Sequence, residues 1–338
     1  GLSVINDHHR WDGVIAAWNI EGRPVVIKYG VKAWDDERGL FVDPAETSLQ
    51  TIFTGVASGW SLSEFTLDIH LRDASYLLLR PVQSSLYAGT GTYEGDAEVA
   101  GTPKPLTRGR VYNVRLVLID RDNLIYQYND GPGEVLALYE GGAETITFQS
   151  DTTNLYSGTT TAGNYRTDNS RGLIQLGSAP ADGVALTADV IGHFPTAGEV
   201  LIWADIARYL LTETIGVAET DVDVDSFDTA AADYPYEAGW HFAPADRADG
   251  SSALARVLAA AGAQVVPAVD GRLRCMVLKA VQETDDPAFD LDTAALLRVA
   301  PRPLSLDVSP AVWRAQCGYQ HNYTVQTDGG LLGAATAA

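Results

Sequence analysis

Eight residues near position 70 set the tightest limit on the fold: Phe65, Leu67, Ile69 and Leu71 alternate with Thr66, Asp68, His70 and Arg72. Successive side chains of a strand point to opposite faces, so this spacing buries one side of a sheet and leaves the other to solvent. Two further runs, Pro24–Tyr29 ending at Gly30 and Thr51–Val56, have the β-branched make-up of strands. Short strands between turn residues predict a small barrel or sandwich. Residues 1–83 are therefore a predicted N-terminal β module. Within it, Ala33–Glu46 carries Trp34, Asp35, Asp36, Glu37 and Arg38 and is expected to be a solvated loop, with Trp34 a contact residue if exposed.

Tyr76-Leu77-Leu78-Leu79 is apolar but of no fixed period. Residues 84–110 read as an extended arm. Gly89-Thr90-Gly91-Thr92-Tyr93-Glu94-Gly95 is glycine-rich. It lacks GxGxxG spacing, a GK[ST] ending and a strand–helix frame, so a flexible arm is preferred over a phosphate cradle. Pro103-Lys104-Pro105 favours extended backbone, suited to docking along a neighbouring subunit's sheet edge. Residues 111–195 form a second predicted β-rich module. Its strands are Val111–Ile119 and Leu124–Tyr128, joined through Asp120-Arg121-Asp122-Asn123, then Val135–Tyr139, Leu173–Leu176 and Val184–Val190. The polar stretch 150–170 is either loop or hairpins.

The period changes at Thr196. Thr196-Ala197-Gly198-Glu199 has the S/T-x-x-E form of a capping box. Ile202, Trp203, Ile206, Tyr209 and Leu210 share one helical face, Asp205, Arg208 and Thr212 the other, and Gly216 is placed to end the helix. A second helix is expected after a Ser251 or Ser252 cap, with Leu254, Val257, Leu258 and Ala261 on one face and Gly262 at its end. Gln264–Val269, an Asp270-Gly271 turn and Arg272–Leu278 predict a hairpin. Residues 196–300 thus read as an α+β helix–hairpin unit, with an acidic loop at 283–292. Residues 301–338 hold returning strands, at Leu304–Val308 and Val312–Tyr319, and a C-terminal linker from Gly329. The expected fold class is mainly β with an α+β portion: small β-barrel or sandwich modules joined by an extended arm, plus a helix–hairpin unit. Gly1 stands where a start would place Met, and Leu2–Ile5 reads as the inside of a strand, so the chain is expected to be part of a longer or processed product.

Acidic residues number 44 against 23 Lys and Arg, a formal net charge of −21. Either an Ala- and Arg-rich coding bias or salt-adapted surface accounts for this, or the surface must shed nucleic acid. Duplex DNA carries a phosphate about every 1.7 Å, so an acidic wall repels it. Specific nucleic-acid binding is not expected. No run approaches the roughly 18–20 apolar residues of a membrane span, so no transmembrane segment is expected. Cys275 and Cys317 fit no CxxC or zinc spacing. They are expected to be reduced and buried, with a disulfide as the alternative.

Residues carrying chemistry are sparse. Glu219–Asp228 places Asp at alternate positions, like a calcium loop, but lacks Gly at the sixth position and has Ala232 where the bidentate Glu belongs. A solvated acidic face is the preferred reading. His8, His9, His70, His193, His241 and His321 form no HxH or HExxH pattern. Ser58 lies outside a G-x-S-x-G elbow. No catalytic, cofactor-binding or metal-ligating set is singled out, and an enzyme is not expected. Tyr234-Pro235-Tyr236 and Trp240-His241-Phe242 either cover a core edge or form an aromatic contact patch.

Four motifs together resemble a known family: LRDxSYLLxRPVQ at 71–83, YAGTG at 87–91, GTPKPLxRGRVYNV at 101–114 and LIYQYNDGP at 124–132. They are similar to tail-tip, or baseplate, proteins of long-tailed (siphovirus-like) phages, prophages and gene transfer particles. The likeness covers roughly residues 20–135; residues 196–338 resemble tail-hub proteins only loosely. It implies a structural virion component of the tail tip, assembled in the host cytoplasm. Copies would form the ring that closes the tail tube and through which DNA passes, threefold favoured and sixfold open. Implied partners are the distal tail protein, the tape measure and central fibre or receptor-binding proteins. Candidate interface residues are Trp11, Trp18, Trp34 and Trp60. The alternatives are a glycan-binding β module and a wall-degrading hydrolase with paired carboxylates.

Overall fold

A computed structural model describes residues 1–278 and 319–336. The chain divides into one compact unit, Gly1–Val277 with Asn322–Ala338, and a second, Leu278–His321, which lies almost wholly outside the described residues. So do the acidic loop at 283–292, the strand expected at Leu304–Val308, all but the last residue of Val312–Tyr319, and Cys317 with any pairing to Cys275. The protein is mainly β: strands take 37% of it and helices 22%.

The N-terminal module runs β1 (Leu2–Ile5), α1 (Asp12–Ala17), β2 (Pro24–Tyr29), β3 (Ala33–Asp35), β4 (Leu40–Val42), β5 (Gln50–Leu62) and β6 (Thr66–Arg72). Its main sheet has the order β1-β6-β5-β2, all antiparallel. The loop expected at 33–46 contains a hairpin instead. The Asp35 carboxylate accepts from the Glu37 and Arg38 amides, each at 3.0 Å, and closes the turn between β3 and β4. Short polar side chains that satisfy nearby backbone donors make such turns without any apolar signal.

Tyr76–Leu79 falls in a 3-10 turn, Ala74–Leu79, capped by the Asp73 carboxylate on the Ser75 amide. The arm expected at 84–110 is neither extended nor free. Its ends are closed by Lys104 N–H to the Ser85 carbonyl at 2.9 Å and Tyr87 N–H to the Thr102 carbonyl at 3.0 Å. Tyr87 is buried with Ile119, Ile125, Leu155 and Leu173. Its hydroxyl donates to Gln127 Oε1 at 2.6 Å. Burying one aromatic ring outweighs the freedom of a glycine-rich segment, and the loop lies on its own chain. Residues 106–110 belong to the next strand.

The second module runs β7 (Leu106–Arg115), β8 (Val117–Asp120), β9 (Ile125–Gln127), β10 (Gly133–Glu140), β11 (Thr147–Asp151), β12 (Asn164–Asp168), β13 (Leu173–Leu176) and β14 (Leu186–Gly192). Two sheets face each other across Val111, Val114, Tyr126, Tyr128, Leu138, Ile174 and Val190, as in a sandwich. The polar stretch at 150–170 resolves into the end of β11, a loop and β12. The loop is pinned by the buried Arg166, which donates to the carbonyls of Leu155 and Ser157 and to Thr160 and Gln175.

The helical part holds α2 (Trp203–Tyr209), continued by a wider turn at Leu210–Thr214, α3 (Val224–Asp233), β15 (Gly239–Phe242), α4 (Gly250–Leu258), β16 (Ala263–Pro267) and β17 (Leu273–Val277). Trp203, Ile206, Leu210, Phe227, Leu254, Leu258 and Leu273 share one buried cluster. The capping box at Thr196 does not form. Phe194 and Gly198 exchange backbone hydrogen bonds in a tight turn, and Thr196 bonds the Glu213 carboxylate. The helix starts at Trp203 with no side-chain cap. Gly216, at φ +76, ends that stretch as expected. In α4 the cap is Asp249, whose carboxylate accepts from the Ser252 amide at 2.7 Å, rather than a serine.

β15 pairs with β7, so the helical part and the sandwich share a sheet. Gly109 permits this: it sits at φ +69, and a Cβ there would run into the Ala238 carbonyl. The linker expected from Gly329 instead ends in a short helix, α5 (Gly333–Thr336), and the segment from Asn322 returns to the sandwich. Asn113 holds Asn322 and the Thr324 carbonyl at 2.6 and 2.7 Å, and Leu332 N–H donates to the Gly141 carbonyl.

Candidate functional site

The N-terminal sheet has an unusual balance of faces. Register places Leu2, Val4, Val25, Ile27, Phe53, Trp60, Leu62, Leu67, Ile69 and Leu71 on one side. The other side carries Ser3, Asp68, Ser61 and His70, joined as Ser3–Asp68 and Ser61–His70 pairs. The alternation at 66–72 is therefore real. Yet among the described residues before Leu78 only Ala57 and Leu67 are buried apolar groups, neither belongs to a buried cluster, and only Ala74 and Leu77, past the sheet, pack against one. An apolar face normally finds a second layer; here seven of the ten are half-buried and Leu2 and Leu62 exposed, and no layer among the described residues seals the face.

The β3–β4 hairpin adds to the exposed apolar surface. Trp34 and Phe41 meet edge to face at 5.1 Å and remain 53% and 61% exposed. Tyr29, Val31 and Leu40 are exposed beside them in the chain. Ion pairs Lys32–Asp43 at 2.9 Å and Lys28–Glu46 at 3.5 Å stand nearby. An aromatic centre with a charged rim is the anatomy of a protein interface. Of the four tryptophans named from sequence, Trp18 and Trp34 are exposed, while Trp11 and Trp60 are half-buried, Trp11 donating to the Ile5 carbonyl. The sequence reading missed Phe41, Phe65 and Ile5, which are 61%, 70% and 76% exposed. Phe65 keeps the alternation that predicts a buried face, but the strand begins after it.

Polar groups elsewhere serve the fold. Thr107, Arg108, Asn129 and His241 form a buried seam between β7, the Asn129–Pro132 turn and β15. Arg108 donates to the Thr107 carbonyl at 2.7 Å and to Asn129 Oδ1 at 3.2 Å, and lies 4.8 Å from the Phe194 ring centre. Burial pulls its pKa down to about 10, against the opposing charges of Asp130 and Glu213. The acidic run is partly structural: Asp223 is buried and accepts from Arg274 Nε at 2.7 Å, with Arg272 at 3.6 Å, and Val224–Asp228 opens α3. That corrects the picture of a wholly solvated face. Trp240-His241-Phe242 forms β15, with His241 and Phe242 buried, so it covers core; Tyr236 stays exposed.

Tyr93 and Tyr156 stand 5.2 Å apart near the sandwich surface, with Asp120, Asn154 and Arg171 around them. Their polar atoms are used on one another. Burial works to raise the Asp120 pKa, but hydrogen bonds from Tyr156 and Asn123 prevail and hold it below the usual value. Among the described residues no group of three or more His, Cys, Asp or Glu is placed to hold a metal ion. Ser58 sits on the bulge of β5, and Gly89–Gly95 is a closed turn with Gly91 N–H to the Gly95 carbonyl. Burial pushes the Cys275 thiol up to about 11, away from reactivity. No described helix is long and apolar enough to cross a membrane. No protein-family model, curated protein or solved structure matches the chain.

Proposed function

We propose that the chain is a structural subunit of a tail-tip assembly, as its resemblance to baseplate proteins of long-tailed phages and gene transfer particles implies. One observation carries the reading: the first seventy-odd residues build an ordered sheet and hairpin with almost no buried core. A small sheet is not stable alone with its apolar face in water. A partner surface supplies the missing layer. In this reading the layer comes from copies of the same chain arranged in a ring, threefold favoured, with neighbouring tail parts on the outer rims. The net charge of −21 then lines a passage to which DNA does not adsorb.

The experiment is the solution mass of the full chain by light scattering, followed by electron microscopy of the particle that carries it. The expected result is a discrete oligomer that is a multiple of the 36.2 kDa subunit. A monomer at all concentrations, with no copy in a purified particle, overturns the reading.

A further inference from the structure

A different feature lies on the second module, under the returning C-terminal segment. Arg115, Leu116 and Val117 at the β7–β8 junction, Pro244 after β15, and His241 and Tyr323 line a cavity of about 310 Å3. That is the small end of ligand pockets, which run from roughly 300 to 1,000 Å3.

The wall is built and neutral. The Thr107 hydroxyl donates its one proton to the Tyr128 carbonyl at 2.7 Å, so at 2.9 Å it accepts from His241 Nδ1. That fixes the imidazole ring and its tautomer. The His241 amide donates to the Tyr323 hydroxyl at 3.1 Å, and the two rings meet edge to face at 5.6 Å. Leu116 is buried and Val117 half-buried.

Arg115 is different. Its backbone belongs to the β7–β14 ladder, but its side chain is exposed at the cavity and makes no hydrogen bond or ion pair with any described residue. The chain has 44 carboxylates for 23 basic side chains, and nine of the sixteen described arginines form ion pairs. A guanidinium left open beside an apolar hollow has the chemistry of an anion anchor.

We propose that this cavity binds a short apolar carboxylate, with its hydrocarbon body against Leu116, Val117 and Pro244 and its carboxylate on Arg115. The same chemistry is offered by a free aliphatic or aromatic acid and by the C-terminal residue of a neighbouring chain. The proposal does not rest on the tail-tip reading.

The test is calorimetric titration of the full chain with 3-phenylpropionate and with the matching alcohol, 3-phenylpropanol. The expected result is saturable binding of the acid, at least about tenfold tighter than the alcohol. Arg115→Gln removes that preference, while Arg23→Gln, at another exposed arginine, keeps it. Equal affinity for acid and alcohol, a preference that survives Arg115→Gln, or no saturable binding overturns the proposal. A parallel titration with a tripeptide ending in leucine, free or amidated, separates the sources. Tighter binding of the free-ended peptide than of phenylpropionate assigns a chain terminus, and the reverse order assigns a free acid.

Discussion

At the scale of residues, His241 ties stability to pH. Burial lowers its pKa from 6.5 to about 4, against the opposing charge of Asp246. The folded chain therefore binds fewer protons than the unfolded chain between those values. Stability from this group is complete above pH 6.5 and is lost as pH falls toward about 4, by roughly 3 kcal/mol in all. Thermal unfolding across that window should show the loss, and His241→Asn should flatten the slope; an unchanged slope places the titration elsewhere. Asp223 supplies a second prediction. Asp223→Ala removes the buried acceptor of Arg274 Nε, while Arg272 keeps Asp270, and should cost about 1–2 kcal/mol in denaturant unfolding. Added calcium should leave the unfolding midpoint of the wild type unchanged. A clear upward shift restores the calcium-loop reading of 219–228. Nothing in the sequence marks Asp223 apart from Asp221 or Asp225. Only the return of Arg272 and Arg274, just before and on β17 some fifty residues later, selects it.

Among the elements, the helix caps and the closed loop show what local pattern does and does not carry. The capping-box motif at Thr196 was present in letters and absent in fact, because Glu213 of the next turn competes for Thr196. At α4 two serines have the chemistry to cap, and the nearby Asp249 takes the role. Asp249→Ala should cost about 1 kcal/mol and Ser251→Ala almost nothing, by equilibrium unfolding. For the loop at 85–104, Tyr87→Ala removes a wholly buried ring and should cost about 3–5 kcal/mol. It should also open the loop to limited proteolysis at Gly89–Gly95. If the variant is as stable and as protease-resistant as the wild type, the loop is not anchored as described. Proline and glycine spacing could announce an irregular segment, but not that one tyrosine nails it to its own sandwich.

On the level of the whole molecule, the proposed association and the stability of the fold rest on different residues. The sandwich and helical part hold the buried clusters, while the N-terminal module displays Trp34, Phe41 and the open sheet face. Trp34→Ser combined with Phe41→Ser should weaken self-association by at least about tenfold, as two interface aromatics commonly do, and leave the unfolding midpoint of the sandwich nearly unchanged. Light scattering over a concentration series measures the first and calorimetry the second. An oligomer indifferent to both changes moves the interface away from the hairpin.

Strands at 24–29, 66–72 and 173–176, the hairpin around Asp270-Gly271 and the apolar face of α2 followed from the sequence alone, because side-chain period is a local property of backbone geometry; the two-residue turn did not, since Pro267 pairs with Leu273 and Ala268–Arg272 make a wider loop. So did the mainly β class. The chain order of residues could not say which apolar faces meet. The docking of the loop at Tyr87, the sharing of β7 between sandwich and helices, the pairing of Asp223 and the half-covered state of the first sheet's apolar face all depend on contacts distant in sequence. Such contacts are settled by which surfaces can exclude water together, and only the folded chain decides that.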